Sequence, residues 1–307
     1  EHLSASNDAN VPAFFGEASL KGWANVLKEV KAAGGHIMPQ LWHQGIVRHK
    51  GSGPYPEQPS MSPSGISKPG KKVTEPMTTK DIDDVIAGFA NSAGYAKDLG
   101  FDGVEIHGAH GYILDQFFWE GTNERSDGFG GSIEKRTNFA AEIVRAVRAR
   151  VGADFPILLR FSQWKQQDYT ARLAQSPAEL ERFLKPLVEA GVDIFHCSTR
   201  RFWEAEFPDS GSDMNLAGWT KKISGRPTMT VGSVSLDLDF ITSFAQQTTQ
   251  TQAGNIDRLM KMMARGEFDL VAVGRALIVN PDWANKVRAG RADELKPYAP
   301  ESLGIYF

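Results

Sequence analysis

The sequence is poor in cysteine, and this scarcity excludes several kinds of protein. Cys197 is the only thiol among the 307 residues. One thiol cannot form a disulfide within the chain, and it cannot supply the four thiolates of a structural zinc or iron–sulfur site. Because disulfides belong mainly to oxidising compartments, a chain with a single cysteine is most consistent with a reducing, cytoplasmic location.

Long apolar runs and an excess of charge are also missing. No run approaches the roughly 20 apolar residues of a membrane helix, and residues 1–6 lack the basic and apolar regions of a signal peptide. The formal net charge is −3, and the basic residues are scattered along the chain. We therefore expect neither a membrane nor nucleic acid among its partners.

What the chain does contain is a regular alternation of short apolar runs and helical patterns. Six of the runs are almost continuously apolar, which indicates parallel strands that are covered on both faces. These predicted strands are residues 35–42, 101–107, 156–162, 193–199, 228–233 and 269–275.

Helices are predicted between these strands from apolar stripes at helical spacing. One helix follows Thr79, a candidate N-cap, and ends at Gly100. Another opens with a capping box at Ser176 and ends at Gly191. Pro186 lies inside this second helix, so we expect it to kink or shorten the helix.

This alternation predicts an α/β fold, and more specifically a (β/α)₈ TIM barrel. Polar residues follow the strands at their carboxyl ends, where such a barrel gathers its active site. The competing doubly wound sheet lacks its expected G-x-G-x-x-G turn. Since six strands are evident and a barrel needs eight, we expect the chain to lack the first two strands. The irregular segments 48–77 and 200–218 are predicted active-site loops.

The densest chemistry lies in residues 107–112, His-Gly-Ala-His-Gly-Tyr, at the end of the second predicted strand. Two imidazole N–H groups can bind an oxygen that gains negative charge in a transition state. The phenol of Tyr112 is a neutral acid at neutral pH, so it can protonate a carbanion-like carbon. From the residues alone, the segment is an oxyanion site with a proton donor, a packed core or a metal site.

The metal interpretation needs more than the two histidines. His107 and His110 are three residues apart, and residues with this spacing on a strand point to opposite faces. A metal would therefore require the turn beyond the strand and a third ligand. Asp115 and Glu105 are the candidates for that ligand.

Two glycine pairs follow the last two predicted strands. Gly232-Ser233 and Gly274-Arg275 place backbone amides, a hydroxyl and a guanidinium at these strand ends. Loops at this place in a barrel commonly bind phosphate, and arginine forks onto phosphate oxygens. The two pairs therefore predict a phosphate site.

Gln40 and Arg160 end two earlier strands and predict the rest of a cofactor site. An amide suits the pyrimidine edge of a flavin, and a fixed positive charge near N1 and C2 stabilises the anionic reduced flavin. A salt bridge in the mouth of the barrel is the competing interpretation of Arg160. Together with the phosphate site, the two residues describe a phosphate-bearing cofactor that stores hydride.

These residues resemble the Old Yellow Enzyme family, whose members are FMN-dependent ene-reductases. The resemblance runs from about Val11 to Asn285, and its most specific part is the stretch 103–112, which continues through 114–117 to Asn123, Arg125, Asp127, 130–132 and Arg136. Residues 39–43 and 273–276 add independent agreement. Ser235 departs from the family pattern, because a glycine is common at its position.

The resemblance implies one FMN-binding barrel domain over residues 1–307, without the family's first two strands. It also implies a role for each candidate residue. Gln40 and Arg160 contact the flavin ring; Gly232, Ser233, Gly274 and Arg275 hold its phosphate; His107 and His110 bind the substrate oxygen; Tyr112 donates a proton; Trp42 lies near the substrate. By position only, Phe202 and Trp203 are candidate lid residues.

The implied reaction is of the NADPH dehydrogenase or ene-reductase type. NAD(P)H supplies hydride, and the substrate is a small electrophilic alkene, an α,β-unsaturated carbonyl or nitro compound. The iron–sulfur subgroup of flavin barrels is not expected, because the chain has one cysteine. Two alternatives stay open: a metal-dependent lyase or hydrolase with His107 and His110 as ligands, and an inactive fragment of the family. A homo-oligomer is compatible with the sequence, which does not set the oligomeric state.

Overall fold

A computed structural model of the chain describes residues 2–239 and 253–304. The chain divides into two compact units, Glu1–Phe195 and His196–Phe307. All six predicted strands are found among the described residues, although the first and the last are reduced to two residues each. No helix of the described part is long and apolar enough to cross a membrane.

The first unit contains five helices and the strands of two sheets. In chain order its elements are α1 (Glu17–Ala32), β1 (Gln40–Leu41), β2 (Ile66–Lys68), β3 (Lys71–Lys72), α2 (Thr79–Leu99), β4 (Val104–His110), α3 (Ile113–Phe118), α4 (Ile133–Val151), β5 (Ile157–Lys165) and α5 (Pro177–Ala190). Strands β1, β4 and β5 lie side by side in that order and are parallel. Strands β2 and β3 form an antiparallel hairpin inside the predicted loop 48–77, where the sequence pattern had not indicated strands.

The core of the first unit lies between this sheet and the helices that follow its strands. Val104 and Ile106 of β4 are fully buried, as expected for a parallel strand covered on both faces. Helix α4 packs against α2 and α5. Phe183 of α5 contacts Phe118 edge-on at a ring distance of 4.9 Å, and it contacts Phe161 of β5 at 5.3 Å.

Helix α2 begins one residue earlier than the sequence pattern predicted. Its N-cap is Thr78, not Thr79, because the acidic residue of the capping box, Asp81, lies three residues after Thr78. The Thr78 hydroxyl accepts from the Asp81 N–H, and the Asp81 carboxylate accepts from the Thr78 N–H at 2.8 Å. Gly100 ends the helix as predicted, with φ of 95°.

Helix α5 begins at its predicted cap. The Ser176 side chain accepts from the backbone N–H of Glu179. Pro186 does not shorten the helix, which continues to Ala190 and ends at Gly191. Its apolar stripe is fully buried from Leu180 to Leu187, so tertiary packing outweighs the hydrogen bond that the proline removes.

The second unit follows β6 (Ile194–Ser198), within which the boundary between the units falls. Its further elements are α6 (Leu216–Ser224), β7 (Thr228–Val231), α7 (Ala253–Ala264), β8 (Leu270–Val271), α8 (Arg275–Val279) and α9 (Trp283–Arg288). Strand β7 lies between β6 and β8, and it is parallel to β8. Phe202, predicted as a lid residue, is instead fully buried in this unit, edge-on to Trp203 at 5.1 Å.

Candidate active site

Four predicted site residues of the first unit form one cluster of rings. The ring centroid of His107 lies 5.1 Å from that of His110 and 5.2 Å from that of Tyr112. Tyr112 in turn meets Trp42 edge-on at 5.0 Å. Two imidazoles, a phenol and an indole are therefore close enough to contact one small molecule together.

The two histidines meet because the strand does not keep its regular alternation. The pairing of β4 with β5 shifts register between Gly108 and His110, and His110 has a φ of +65°. The expectation that positions i and i+3 face opposite sides was therefore wrong here. A bulge and a left-handed residue rotate the second imidazole toward the first.

His107 and Arg160 lie inside their strands rather than at the ends where the sequence pattern placed them. Strand β4 continues to His110 and β5 to Lys165, because the two strands stay paired beyond the apolar runs. His107 and Arg160 are direct partners in this pairing. An imidazole and a guanidinium are thus held on adjacent strands by backbone register.

The turn after β4 is fixed by hydrogen bonds to the backbone of Gly111. Its N–H donates to Asp115 Oδ2 at 2.7 Å. Its carbonyl accepts from Gln116 Nε2 at 2.7 Å and from Gln167 Nε2 at 3.0 Å. Gly111 has φ of +78°, and a Cβ there would lie 1.8 Å from Gln167 Oε1. The glycine is required both by its backbone conformation and by the close approach of this amide.

Asp115 also forms an ion pair with Lys165, and both side chains are completely buried. Burial raises the pKa of the Asp115 carboxyl and lowers the pKa of the Lys165 ammonium, and each charge opposes the effect on the other. The two oxygens of Asp115 thus already bind the Lys165 ammonium and the backbone amide of Gly111. Among the described residues, no group of three His, Cys, Asp or Glu side chains could hold a metal ion.

Three further residues of the site were missed by sequence reasoning, and all follow the apolar part of β5. Trp164 stacks on His110 with a ring distance of 4.6 Å, and Tyr169 stacks on Trp164 at 5.4 Å. Gln166 Nε2 donates to the Tyr112 hydroxyl at 3.2 Å. The aromatic and amide residues at 164–169 were the signal that could have found them.

Gln40 and Arg160 are linked through an acidic residue of β4. Gln40 is paired with Glu105 in the sheet, and its side-chain amide donates to the Glu105 carboxylate. Burial lowers the pKa of Arg160, and the charge of Glu105 acts in the opposite direction. Gln40 and Trp42 also line a mostly apolar cavity of about 330 Å³ between residues 2–15, β1 and α2.

In the second unit, the turn after β7 takes a strained conformation. Gly232 directly follows β7, which ends at Val231, and a Cβ on Gly232 would lie 2.6 Å from the Thr199 carbonyl oxygen. Ser233 and Ser235 have φ of 52° and 62°, which side chains rarely adopt. The position where the family commonly has glycine therefore retains a glycine-like backbone with serine in place.

Asn255 of α7 holds this turn. Its side-chain oxygen accepts from the Ser235 N–H at 2.9 Å. Its side-chain nitrogen donates to the carbonyls of Ser233 at 2.8 Å and Leu236 at 2.9 Å. Sequence reasoning missed Asn255, which lies 20 residues beyond the turn and carries no local motif.

Gly274 precedes α8, and Arg275 is the first residue of that helix. The Arg275 guanidinium donates to the carbonyls of Leu238 at 3.0 Å and Asp239 at 3.3 Å, and it stacks over the Tyr298 ring at 5.8 Å. A Cβ on Gly274 would meet no atom within 4 Å, so the backbone there faces open space. An anion can approach this glycine closely.

A second group of cations surrounds the Asp239 carboxylate. Arg200 Nη2 lies 3.0 Å and Arg201 Nη2 lies 2.8 Å from Asp239 Oδ2. Asp239 is 2% exposed. Two arginines from the loop after β6 thus neutralise the carboxylate beside Arg275. Burial raises the pKa of the Cys197 thiol to about 12, so this thiol stays protonated at neutral pH.

Comparison with known proteins identifies the family. The model of the NADH:flavin oxidoreductase / NADH oxidase family matches residues 4–294, and the chain belongs to this family. The chain is therefore an oxidoreductase of the NADH:flavin oxidoreductase family, and the predicted resemblance is confirmed.

Individual relatives support the same family. The chain is 33% identical to the NADH oxidase of Thermoanaerobacter brockii over 293 residues, which are 93% of this chain and 41% of the relative. The chain thus spans less than half of that protein. It is 30% identical to the putative 12-oxophytodienoate reductase-like protein 1 of Arabidopsis thaliana over 89% of this chain and 78% of the relative.

A solved structure confirms the fold class. Old Yellow Enzyme from Pichia sp. AKU4542 is similar with a TM-score of 0.76 at 24% identity, over 98% of this chain and 74% of that chain. The predicted class, the α/β fold of the Old Yellow Enzyme barrels, is therefore correct.

Proposed function

We propose that the protein is an FMN-dependent oxidoreductase that takes hydride from NAD(P)H and reduces the C=C bond of α,β-unsaturated carbonyl or nitro compounds. The observation that carries the proposal is the convergence of His107, His110 and Tyr112 within ring distances of 5.1 and 5.2 Å. Two donors for one oxygen and one acid beside them are what this reaction requires of a protein.

The residues present fit FMN in kind and in surroundings. Gln40 and Arg160 would lie at the flavin ring, where a buried guanidinium favours the anionic reduced state. Gly232, Ser233, Gly274 and Arg275 would hold the phosphate, and the open space at Gly274 allows close backbone approach. When bound, FMN supplies the hydride that is added to the β-carbon of the alkene.

His107 and His110 bind and polarise the substrate. Their ring N–H groups donate to the carbonyl or nitro oxygen, and negative charge grows on this oxygen as hydride reaches the β-carbon. Trp164, stacked on His110, restrains the plane of this imidazole. His107 is 5% exposed, so its hydrogen bond acts in a medium of lower dielectric constant than water.

Tyr112 delivers the proton to the α-carbon. Its hydroxyl oxygen accepts from Gln166 Nε2 at 3.2 Å, which directs the hydroxyl proton away from Gln166. The edge-on contact with Trp42 restrains the phenol ring. The Tyr112 proton would thus complete the reduction of the C=C bond, since FMN would supply only the hydride.

Tyr112→Phe tests this proposal. We expect alkene reduction by the FMN-loaded protein to slow by about 10²- to 10⁴-fold, the usual effect of losing a general acid. Reduction of the flavin by NAD(P)H needs no proton from Tyr112, so its rate stays within about twofold. Stopped-flow absorbance of the flavin measures both half-reactions separately.

Tyr95→Phe is the control, because Tyr95 lies on α2, outside this group of rings, and has no proposed role in the reaction. It leaves both half-reactions unchanged. An equal loss in the two half-reactions of Tyr112→Phe would contradict its assignment as proton donor.

A further inference from the structure

The buried ion pair of Asp115 and Lys165 takes no part in the reaction proposed above, yet it lies directly beneath the catalytic turn. Both side chains have no solvent exposure. Lysine and aspartate are almost never fully buried unless they are paired. A buried ion pair is a poor source of stability, because the cost of removing two charges from water offsets their attraction. A contribution to stability therefore does not explain why this ion pair is buried beneath the turn.

Each oxygen of Asp115 has a separate partner. One accepts from Lys165 Nζ, and the other accepts from the Gly111 N–H at 2.7 Å. Gly111 is the residue between His110 and Tyr112. The lysine thus fixes the carboxylate, and the carboxylate fixes the backbone that presents the second imidazole and the phenol.

Lys165 also reaches the turn from its own strand. It is the register partner of His110 in the pairing of β4 with β5. Its ammonium lies 3.4 Å from the Ser162 carbonyl oxygen, and the Ser162 hydroxyl accepts from the His110 N–H at 3.0 Å. Both side chains are therefore connected to the backbone of His110, Asp115 through the adjacent Gly111 and Lys165 through Ser162.

The conformation of the turn shows why such restraint is needed. His110 and Gly111 have φ of +65° and +78°. A left-handed histidine persists only where the surroundings over-determine it. A hydrogen bond to a charged acceptor is shorter and about twice as strong as a neutral one, so the paired carboxylate can supply this restraint.

We propose that the Asp115–Lys165 pair is a positioning device that holds the Gly111 turn and so sets the placement of His110 and Tyr112 against the substrate. The inference rests on the function proposed for those two residues. Neither Asp115 nor Lys165 touches the substrate, and both act through the backbone of the turn.

Two double variants test the proposal without leaving an unpaired charge in the core. Asp115→Asn/Lys165→Met keeps a neutral acceptor for the Gly111 N–H, and Asp115→Leu/Lys165→Met removes the acceptor. Apolar replacement of a buried pair is often neutral or stabilising, so both variants should fold. We expect alkene reduction by the FMN-loaded enzyme to fall by about tenfold in the first variant. In the second it should fall by about a hundredfold, the scale of a misplacement of about 1 Å.

Two other measurements separate positioning from a general structural role. Flavin reduction by NAD(P)H stays within about twofold in both variants, because it does not use the Tyr112 proton. Hydrogen–deuterium exchange of a peptide spanning residues 107–118 becomes faster in both variants. The increase is larger in Asp115→Leu/Lys165→Met, the variant that also loses more of the rate of alkene reduction. The matched control is Glu134→Gln/Arg182→Met, which neutralises an ion pair that is 41% and 51% exposed. It changes none of these quantities.

The proposal is overturned if the double variants keep either the exchange rate of the turn or the rate of alkene reduction, or if both half-reactions fall equally. Failure of the proposed function is distinguishable, because the wild-type enzyme would then reduce no alkene. The exchange measurement on the variants would still report whether the pair holds the turn. Unchanged hydrogen–deuterium exchange in the double variants would by itself contradict the positioning role.

Discussion

Two turns of the molecule carry the proposed chemistry, and they are held in opposite ways. The turn after β4 places His110 at φ of +65°, and the turn after β7 places Ser233 and Ser235 at 52° and 62°. Both therefore force side-chain-bearing residues into a conformation that favours glycine. The first is held by the charged carboxylate of Asp115 and the second by the neutral amide of Asn255.

The difference follows from what each turn presents. The β4 turn presents an imidazole and a phenol, whose placement must be accurate to a fraction of an ångström, and a charged hydrogen bond restrains more strongly than a neutral one. The β7 turn is proposed to face a phosphate, which an unpaired carboxylate would repel. A neutral amide avoids this repulsion, and the nearby Asp239 is neutralised by Arg200 and Arg201.

The largest effect on stability is expected from breaking the charged support. Lys165→Met leaves the Asp115 carboxylate buried without its cation, and removing one partner of a buried pair costs about 3 to 5 kcal/mol. Urea unfolding should show this loss in the free energy of unfolding. The surface variant Arg182→Met should lose less than about 1 kcal/mol, because its pair with Glu134 is solvated. A loss from Lys165→Met no larger than this control would mean that the pair does not support the turn.

A smaller effect is expected from breaking the neutral support. Asn255→Ala removes three hydrogen bonds and leaves the Ser235 N–H and two carbonyls without their partner. At roughly 1 kcal/mol for each bond, the free energy of unfolding should fall by about 2 to 3 kcal/mol. Asn285→Ala is the control, since Asn285 makes an exposed contact with Arg288. If Asn255→Ala matched that control, the turn would be held by its backbone alone.

The smallest effects separate two glycines of the candidate site. Gly111→Ala must place a Cβ at φ of +78° against Gln167, and the left-handed conformation alone costs about 1 to 2 kcal/mol. Gly274→Ala meets no atom, so its unfolding free energy should stay within about 0.5 kcal/mol. Its affinity for FMN, measured by fluorescence titration of the apoprotein, should nevertheless fall. Unchanged FMN affinity would remove Gly274 from the phosphate site.

Much of this site can be predicted from the sequence, because it is formed by residues that are close together in the chain. The segment 107–112 carries its imidazoles and phenol whatever the fold, and the N-cap at Ser176 works through residues three apart. The prediction of Thr79 as the cap was wrong by one position, because the acidic residue of the capping box, Asp81, lies three residues after Thr78. The hairpin of β2 and β3 was missed because its short, polar strands lack an apolar pattern.

The remaining parts of the site join residues that are far apart in the chain. Lys165 meets Asp115 across 50 residues, and Trp164 meets His110 only because β5 lies next to β4. No local pattern encodes a strand register, since register is set by the packing of whole strands. The bulge that reverses the face of His110 is likewise a property of the pair of strands.

The sequence by itself therefore determined the family, the alternation of strands and helices, and the chemical groups of the catalytic turn. Each of these depends on periodicity or motifs that are formed by residues close together in the chain. Only the tertiary structure decided three further features. These are the contact of His107 with His110, the buried ion pair of Asp115 with Lys165, and the hydrogen bonds of Asn255 to the turn after β7. Each depends on a contact between distant segments, and its free energy exists only when those segments are packed together.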